Sequence, residues 1–389
     1  MATQLPSLPE TERLAPACIR ILGGNPGKFT LQGTNTYLLG TGPSRILIDT
    51  GEGRPSWLAT LRRVLSEERA SLACALVTHR HHDHTGGIAD LLRAWPGTAV
   101  HKHRPEPGAG LLDIADGQRF SADGVTLTAV HTPGHTEDHM VFFWEEENAL
   151  FTGDNVLGHG TSVFEDLGLY VASLERMRGL FSPPEKAGSK EPVAYPGHGA
   201  VVSDGPGKID EYIRHRAQRE MQVLQALGGD DGDGDGDGDG GKGRDEDGKG
   251  KGHSDGWTVM ELVRSIYRDV PESLHPAAAG GVVQILQKLQ REGKVEAVGS
   301  GGRWRLAWGS VLAGTEWYFG VPLVQPYSSN LTQPCAMTSK SRFSGATPTG
   351  FLRRNADCSV EIFKLVEYCA HPRLHEVQGL YVHINRKFF

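Results

Sequence analysis

Cysteine is scarce in this chain. Five occur among 389 residues, at positions 18, 74, 335, 358 and 369, and no two form a Cys-x-x-Cys pair. So odd and scattered a set excludes a disulfide framework and a cysteine-held metal, and it predicts free thiols in a reducing compartment. Long apolar runs are also lacking, so no segment is expected to cross a bilayer. The first ten residues are acidic and broken by Pro6 and Pro9. They resemble neither a secretory leader nor an arginine-rich transit peptide, which gives cytoplasmic as the expected location. Excess positive charge is absent too. A formal net charge of -7 argues against general nucleic-acid binding by the whole molecule, although much of the acid lies in one tract.

What is present is ordinary for a soluble globular protein: 38% hydrophobic and 22% charged residues, with room for two or three domains. Hydrophobic periodicity up to about residue 227 alternates between two kinds of segment. Strands are expected at 35–39, 45–49, 73–78, 98–101, 125–131, 140–144, 149–152 and 192–195, and helices at 56–68, 88–95, 172–181 and 207–227. Such alternation predicts an α/β fold with helices covering sheet faces. Residues 228–256 are Gly/Asp-rich and predict a flexible linker. Asp235 to Gly240 with Glu246 formally fits a calcium-loop pattern, but no helices flank it, and a Gly-Asp repeat produces such matches by chance. Residues 257–308 read as two amphipathic helices and a hairpin, a small winged-helix-like module. Its seven basic residues, among them Arg264, Arg268 and Arg291, face five acidic ones, which leaves only +2 and a weak case for nucleic acid. The tail, 309–389, carries no motif.

The most informative run is Thr78-His79-Arg80-His81-His82-Asp83-His84. It follows the apolar Ala73-Cys74-Ala75-Leu76-Val77 and precedes Gly86-Gly87 and a helix, and a strand end before a helix is a frequent place for chemistry in α/β folds. Alternate residues of an extended segment point the same way, so His79 and His81 can reach one ion. The following turn can aim Asp83 and His84 at a second. Imidazole and carboxylate are natural ligands of zinc and related ions. Three further strand ends each offer one ligand beside glycine: Thr132-Pro133-Gly134-His135, Thr152-Gly153-Asp154, and Tyr195-Pro196-Gly197-His198-Gly199. Asp49, at the end of Ile46-Leu47-Ile48, is expected to support the ligand loops by hydrogen bonding. Gln32-Gly33-Thr34-Asn35-Thr36-Tyr37 is expected near the site, and His82, His131, His139 and His159 are read as supporting or structural.

In this order, His-x-His-x-Asp-His, Pro-Gly-His, Gly-Asp and Pro-Gly-His-Gly, the chain resembles the metallo-β-lactamase superfamily over residues 18 to 227. The resemblance implies an αββα sandwich with two zinc ions (Zn2+). His79, His81 and His135 would hold the first, Asp83, His84 and His198 the second, with Asp154 bridging. Two divalent cations activate water at neutral pH and polarise the bond under attack. Asp83 is the candidate acid/base as well as a ligand.

Two stretches, 21–37 and 145–160, resemble fungal polyketide-pathway thioesterases of the atrochrysone carboxyl acyl-carrier-protein type. That resemblance implies a zinc-dependent thioesterase releasing an aromatic polyketide from the acyl carrier protein of a non-reducing polyketide synthase. The alternative is the related β-lactamase-like protein 2 group, single-stranded RNA endonucleases that share the core and a C-terminal unit like 258–295. The thioesterase is preferred because a transit peptide is lacking and the winged module is barely basic. That module could instead dock an acidic carrier protein through Arg264, Arg268 and Arg291.

Overall fold

A computed structural model describes residues 5–182, 190–228, 256–299 and 302–307. Nearly all of the expected linker, the calcium-loop match, the tail and Cys335, Cys358 and Cys369 lie outside the described residues. Among the described residues a seven-stranded sheet runs in chain order: β1 (Thr11–Ala15), β2 (Cys18–Leu22), β3 (Asn35–Leu39), β4 (Ser44–Ile48), β5 (Ser71–Val77), β6 (Ala99–Lys102) and β7 (Leu112–Asp113). It is antiparallel from β1 to β4 and parallel from β4 onward. The second sheet, ordered β12-β11-β10-β9-β8, comprises β8 (Arg119–Ala122), β9 (Val125–His131), β10 (Met140–Trp144), β11 (Ala149–Gly153) and β12 (Val193–Pro196).

Successive side chains of a strand point to opposite faces, and here each face has its own core. Tyr37, Leu39, Ile46, Ile48 and Leu76 point inward against Phe142, Trp144 and Phe151 of the second sheet. Their neighbours Leu38, Leu47, Ala75 and Val77 point outward, under Trp57, Leu61 and Val64 of α1 (Pro55–Glu67) and Leu91. The α2 helix is the single turn His82–Thr85, and α3 (Ile88–Ala94) carries Leu91. Across the sandwich, Val130, Val141 and Leu150 meet Tyr170, Leu174 and Met177 of α4 (Leu167–Arg178) and Ile209 and Tyr212 of α5 (Gly205–Gly228). The layers therefore run α, β, β, α, as expected. Strands 35–39, 125–131 and 140–144 have the expected bounds.

Three differences have physical causes. β1 and β2 were not expected, because Cys18-Ile19-Arg20-Ile21-Leu22 does not alternate; all five residues are buried, and Arg20 is matched by Glu12. α4 begins at Leu167, five residues earlier than expected, because the Asp166 carboxylate caps it by accepting from the Leu169 N–H at 3.0 Å. The winged unit has a third strand: β13 (Trp257–Thr258) joins β15 (Arg303–Leu306), which pairs with β14 (Val295–Val298).

The winged unit is packed onto the sandwich. Leu262 and Val263 of α6 (Val259–Ile266) and Val282, Leu286 and Leu289 of α7 (His275–Arg291) share one core with Leu167 and with Val223, Ala226 and Leu227 near the end of α5. Lys288 pairs with Glu220, and Arg291 with Asp166, across this contact. Of the three arginines expected to meet a carrier protein, Arg291 is paired with Asp166 of the sandwich while its side chain stays half exposed. No helix among the described residues is long and apolar enough to cross a membrane. Leu286→Ala removes a fully buried side chain from the shared core and should lower unfolding free energy by roughly 2–5 kcal/mol. Denaturant titration measures this, and a loss below about 1 kcal/mol would contradict the shared core.

Candidate metal centre

The seven expected ligands come together at one edge of the sandwich. Each follows the C-terminal end of a strand: His79, His81, Asp83 and His84 after β5, His135 after β9, Asp154 after β11, and His198 after β12. They form two groups, His79, His81, His135 and Asp154 in one and Asp83, His84 and His198 in the other, with ligand atoms inside each group within 4.8 Å of one another.

In the first group His79 Nε2 lies 2.9 Å from His81 Nδ1 and 3.3 Å from His135 Nε2, and the last two are 3.1 Å apart. Tetrahedral donors placed about 2.0–2.1 Å from a zinc ion are about 3.3 Å apart, so this triangle has the size of one face of such a site. In the second, His198 Nε2 lies 3.3 Å from His84 Nε2 and 3.1 Å from Asp83 Oδ2. Asp154 stands between them. Its Oδ1 is 3.4 Å from His84 Nε2, and its Oδ2 is 3.3 Å from His198 and 3.7 Å from His135. Asp154 Oδ1 is buried and makes no well-formed hydrogen bond, which leaves it available to a cation.

The far nitrogen of each ring decides which lone pair faces inward. His135 Nδ1–H donates to the Val163 carbonyl at 2.8 Å, leaving Nε2 bare. His84 Nδ1–H donates to Asp49 Oδ2 at 2.7 Å. His79 Nδ1 lies 3.0 Å from Thr78 Oγ1, whose hydroxyl donates to Asp49 Oδ2 at 2.9 Å. Asp49 also accepts from the Thr78 backbone N–H at 2.8 Å. Its expected supporting role is therefore visible as a set of bonds, and it holds the strand end from which the histidine run departs.

The polar run 32–37 holds the His198 loop. Asn35 Nδ2 donates to the carbonyls of Pro196 and Gly199 at 2.8 and 2.9 Å, and Tyr37 Oη to Pro196 at 2.7 Å. Glycine is required where backbones crowd the ligands. A Cβ on Gly197 would sit 2.3 Å from Asp154 Oδ1, and one on Gly134 2.3 Å from the Tyr170 Cα. His139 is buried, and its Nε2 accepts from the Asp154 N–H at 3.1 Å, steadying the bridging residue. His82 is exposed, and His131 Nε2 donates to the Glu137 carbonyl instead. Ser162, Val163 and Arg216 escaped sequence reasoning. Ser162 Oγ donates to the Asp154 carbonyl and Arg216 to the Ser162 carbonyl at 2.9 Å, bonds made largely to main chain and carrying no residue-type signal.

Electrostatics separate the two groups. Burial, reinforced by His84, holds His79 well below the usual histidine range, and burial also lowers His81 and His135. These three rings are therefore neutral, and with the far nitrogens of His79 and His135 already engaged, the Nε2 lone pairs of those two face the interior of the group. Burial opposes charge on His84 too, but Asp154 and Asp49 outweigh it and raise its pKa well above normal. For His198, Asp154 and Asp83 outweigh burial and raise it to about 9. Burial pushes Asp83 up, but hydrogen bonds from His198 and His84 hold it far below the usual carboxylate range.

Comparison with known proteins agrees with this geometry. Residues 29–208 match the family model of the Metallo-beta-lactamase superfamily, and residues 258–304 that of the Beta-lactamase associated winged helix domain. The chain is 49% identical over 299 residues to the lactamase-like protein nscB of Neosartorya fischeri, covering 75% of this chain and 84% of that protein. It is 45% identical over 291 residues to the lactamase-like protein aptB of Emericella nidulans, covering 75% and 86%. Among solved structures, a beta-lactamase domain protein from Burkholderia ambifaria aligns with TM-score 0.59 at 18% identity, over 79% of this chain and 96% of that one. A metallo-beta-lactamase family protein from Thermus thermophilus aligns with TM-score 0.52 at 22% identity, over 76% and 100%. These two share the fold. Taken with the paired His/Asp groups, the comparisons place the chain in the metallo-β-lactamase superfamily, whose membership implies a metal-dependent hydrolase built on a divalent-metal site with a winged helix at its C-terminal side.

Proposed function

We propose that the protein is a zinc-dependent thioesterase that frees an aromatic polyketide from the acyl carrier protein of a non-reducing polyketide synthase. His79, His81 and His135 would hold the first ion and Asp83, His84 and His198 the second, with Asp154 standing between the two groups. The reading divides the chain into a catalytic domain (1–227), a linker (228–256), a winged-helix module (257–308) and a tail (309–389). The match to fungal lactamase-like proteins and the thioesterase-like stretches 21–37 and 145–160 support it.

The observation that carries the choice of thioester over RNA is the fate of the module's basic side chains. Lys288 faces Glu220 and Glu292, Arg291 faces Asp166, Lys294 faces Glu292, Arg303 faces Glu261 and Arg305 faces Glu296. Five of the module's seven basic side chains are thus paired with carboxylates, Glu292 serving both Lys288 and Lys294. A surface with most of its cations paired offers little to a phosphate backbone, whose binding depends on displacing counterions with unmatched charge.

Bound divalent ions supply a nucleophile from water and polarise the scissile carbonyl. The chain's part is to place and move protons. Hydrolysis adds the oxygen of water to the carbonyl carbon and breaks the carbon–sulfur bond, giving a carboxylic acid and the carrier's thiol. Of the second group Asp83 is the most open, with its side chain 23% exposed against 0% for His84 and 2% for His198. It can orient the attacking water, take its proton and pass that proton to the departing sulfur. His79, His84 and His135 are oriented by Thr78, Asp49 and Val163, respectively.

Three outcomes test this reading. Purified protein offered an acyl-carrier thioester and a single-stranded RNA should cleave the thioester in a chelator-sensitive way and leave the RNA intact; the reverse pattern replaces the thioesterase with the nuclease. Asp83→Asn should lower kcat by about 10²–10⁴, with metal content measured alongside, and an Asp83→Ala variant with full activity would sink the assigned site. Metal affinity should rise with pH. His84 and His198 have raised pKa values, hold protons at neutral pH and must release them to bind, so affinity climbs until pH passes about 9 for His198. The slope is about tenfold per pH unit for each proton displaced. Chelator-competition titrations between pH 6.5 and 9 measure it, and a flat profile contradicts the proton assignment.

A further inference from the structure

The segment from Leu157 to Asp166 has no regular secondary structure, yet it touches both the metal centre and the winged helix. On its inner side Ser162 Oγ donates to the Asp154 carbonyl, and the Val163 carbonyl accepts from His135 Nδ1–H. The backbone N–H groups of Glu165 and Asp166 both donate to the carbonyl of Gly134, the residue before His135, at 2.7 and 3.2 Å. On its outer side the Glu165 carbonyl accepts from Gln284 Nε2 at 3.0 Å, and the Asp166 carboxylate takes a two-pronged contact from Arg291 at 2.7 and 3.1 Å. Gln284 and Arg291 both lie on α7 of the winged unit.

We propose that the winged-helix module is a positioning element of the metal centre, with Gln284 and Arg291 latching Glu165 and Asp166 so that Val163 and Gly134 hold His135 in its metal-facing orientation. The argument is one of constraint. A stretch lacking helix or ladder hydrogen bonds stays in place only through side-chain and tertiary bonds. From α5 it receives Tyr212 Oη on the Gly160 carbonyl and Arg216 on the Ser162 carbonyl, which secure its first half. The half nearest Gly134 is held at Val163 by His135 and Ser162 and at the Glu165 side chain by Arg80, while the Glu165 carbonyl and the Asp166 carboxylate are tied to α7 by Gln284 and Arg291. Arg291 binds through a bidentate fork, which fixes orientation as well as distance. Partners one shell out from a ligand commonly change metal affinity by about 10–100-fold when removed. Gln284 and Arg291 stand one step further away, so a smaller effect is expected. Neither residue touches substrate or metal, and both act through His135.

The proposal rests on His135 as a metal ligand but is independent of the thioester. The test therefore uses the full chain, Co2+ as the probe metal, and no substrate. Gln284→Ala and Arg291→Ala, singly and together, are compared with Lys288→Ala, which breaks the Lys288–Glu220 pair at the same interface without touching residues 157–166. The double variant should bind its first Co2+ about five- to tenfold more weakly, with altered ligand-field absorption. Its Glu165 and Asp166 amides should exchange with solvent roughly tenfold faster in the metal-free protein. Lys288→Ala should stay within about twofold of the parent on both measures. If the double variant and Lys288→Ala behave alike, or if exchange accelerates while Co2+ affinity and spectrum do not change, the latch is overturned. A His135→Ala variant that binds Co2+ like the parent would remove the ligand assignment, and the latch with it, whatever the enzyme hydrolyses.

Discussion

The carboxylate of Asp49 is the constraint on which the site depends. It is 1% exposed, ends β4 in a left-handed backbone conformation (φ 59°), and binds the Thr78 N–H, the Thr78 hydroxyl and His84 Nδ1. Those bonds place the C-terminal end of β5 and aim one histidine from each metal group. A buried carboxylate left without donors carries a large desolvation penalty, so the bonds are both its stabilisation and the site's rigidity. The strand ends of two different sheets can then meet because Asn35 and Tyr37 of β3 bind the carbonyl of Pro196, the last residue of β12 in the second sheet.

Gathering the ligands has an electrostatic cost, and the way it is offset explains the two halves of the centre. Two carboxylates, Asp83 and Asp154, lie among five imidazoles in a largely buried pocket. The half nearest the carboxylates balances charge by holding protons on His84 and His198, while the other half keeps His79, His81 and His135 neutral. A cation bound in the former half would displace the protons of His84 and His198, so metal binding and pH would be linked through the same few residues.

Much of this was legible in the sequence, for reasons that can be stated residue by residue. Ligand types at fixed spacing after apolar runs marked His79, His81, Asp83 and His84, and a lone strong ligand beside glycine marked His135, Asp154 and His198. Three strands were placed to the residue because alternation or apolar runs bounded by Gly, Pro or polar residues defined them. What stayed hidden depends on long-range pairing. Arg20 looks like an interruption of β2 until Glu12 is brought opposite it. Asp166 gives no sign of capping α4 and binding Arg291 at once until the helix pair is assembled. Val163 supplies a carbonyl, and a carbonyl belongs to every residue.

The module's charges show why composition alone misjudges a surface. Counting ions gave +2 and left Arg291 available to a partner. In the fold Arg291 pairs with Asp166 and Lys288 with Glu220 of the sandwich, and three of the module's acids, Glu261, Glu292 and Glu296, sit opposite its own bases. A winged unit arranged in this way buries Leu262, Leu286 and Leu289 against α5 and directs two of its polar side chains at the segment beside His135. Its position is thus set by the sandwich, through the shared core and the contacts to Glu165 and Asp166.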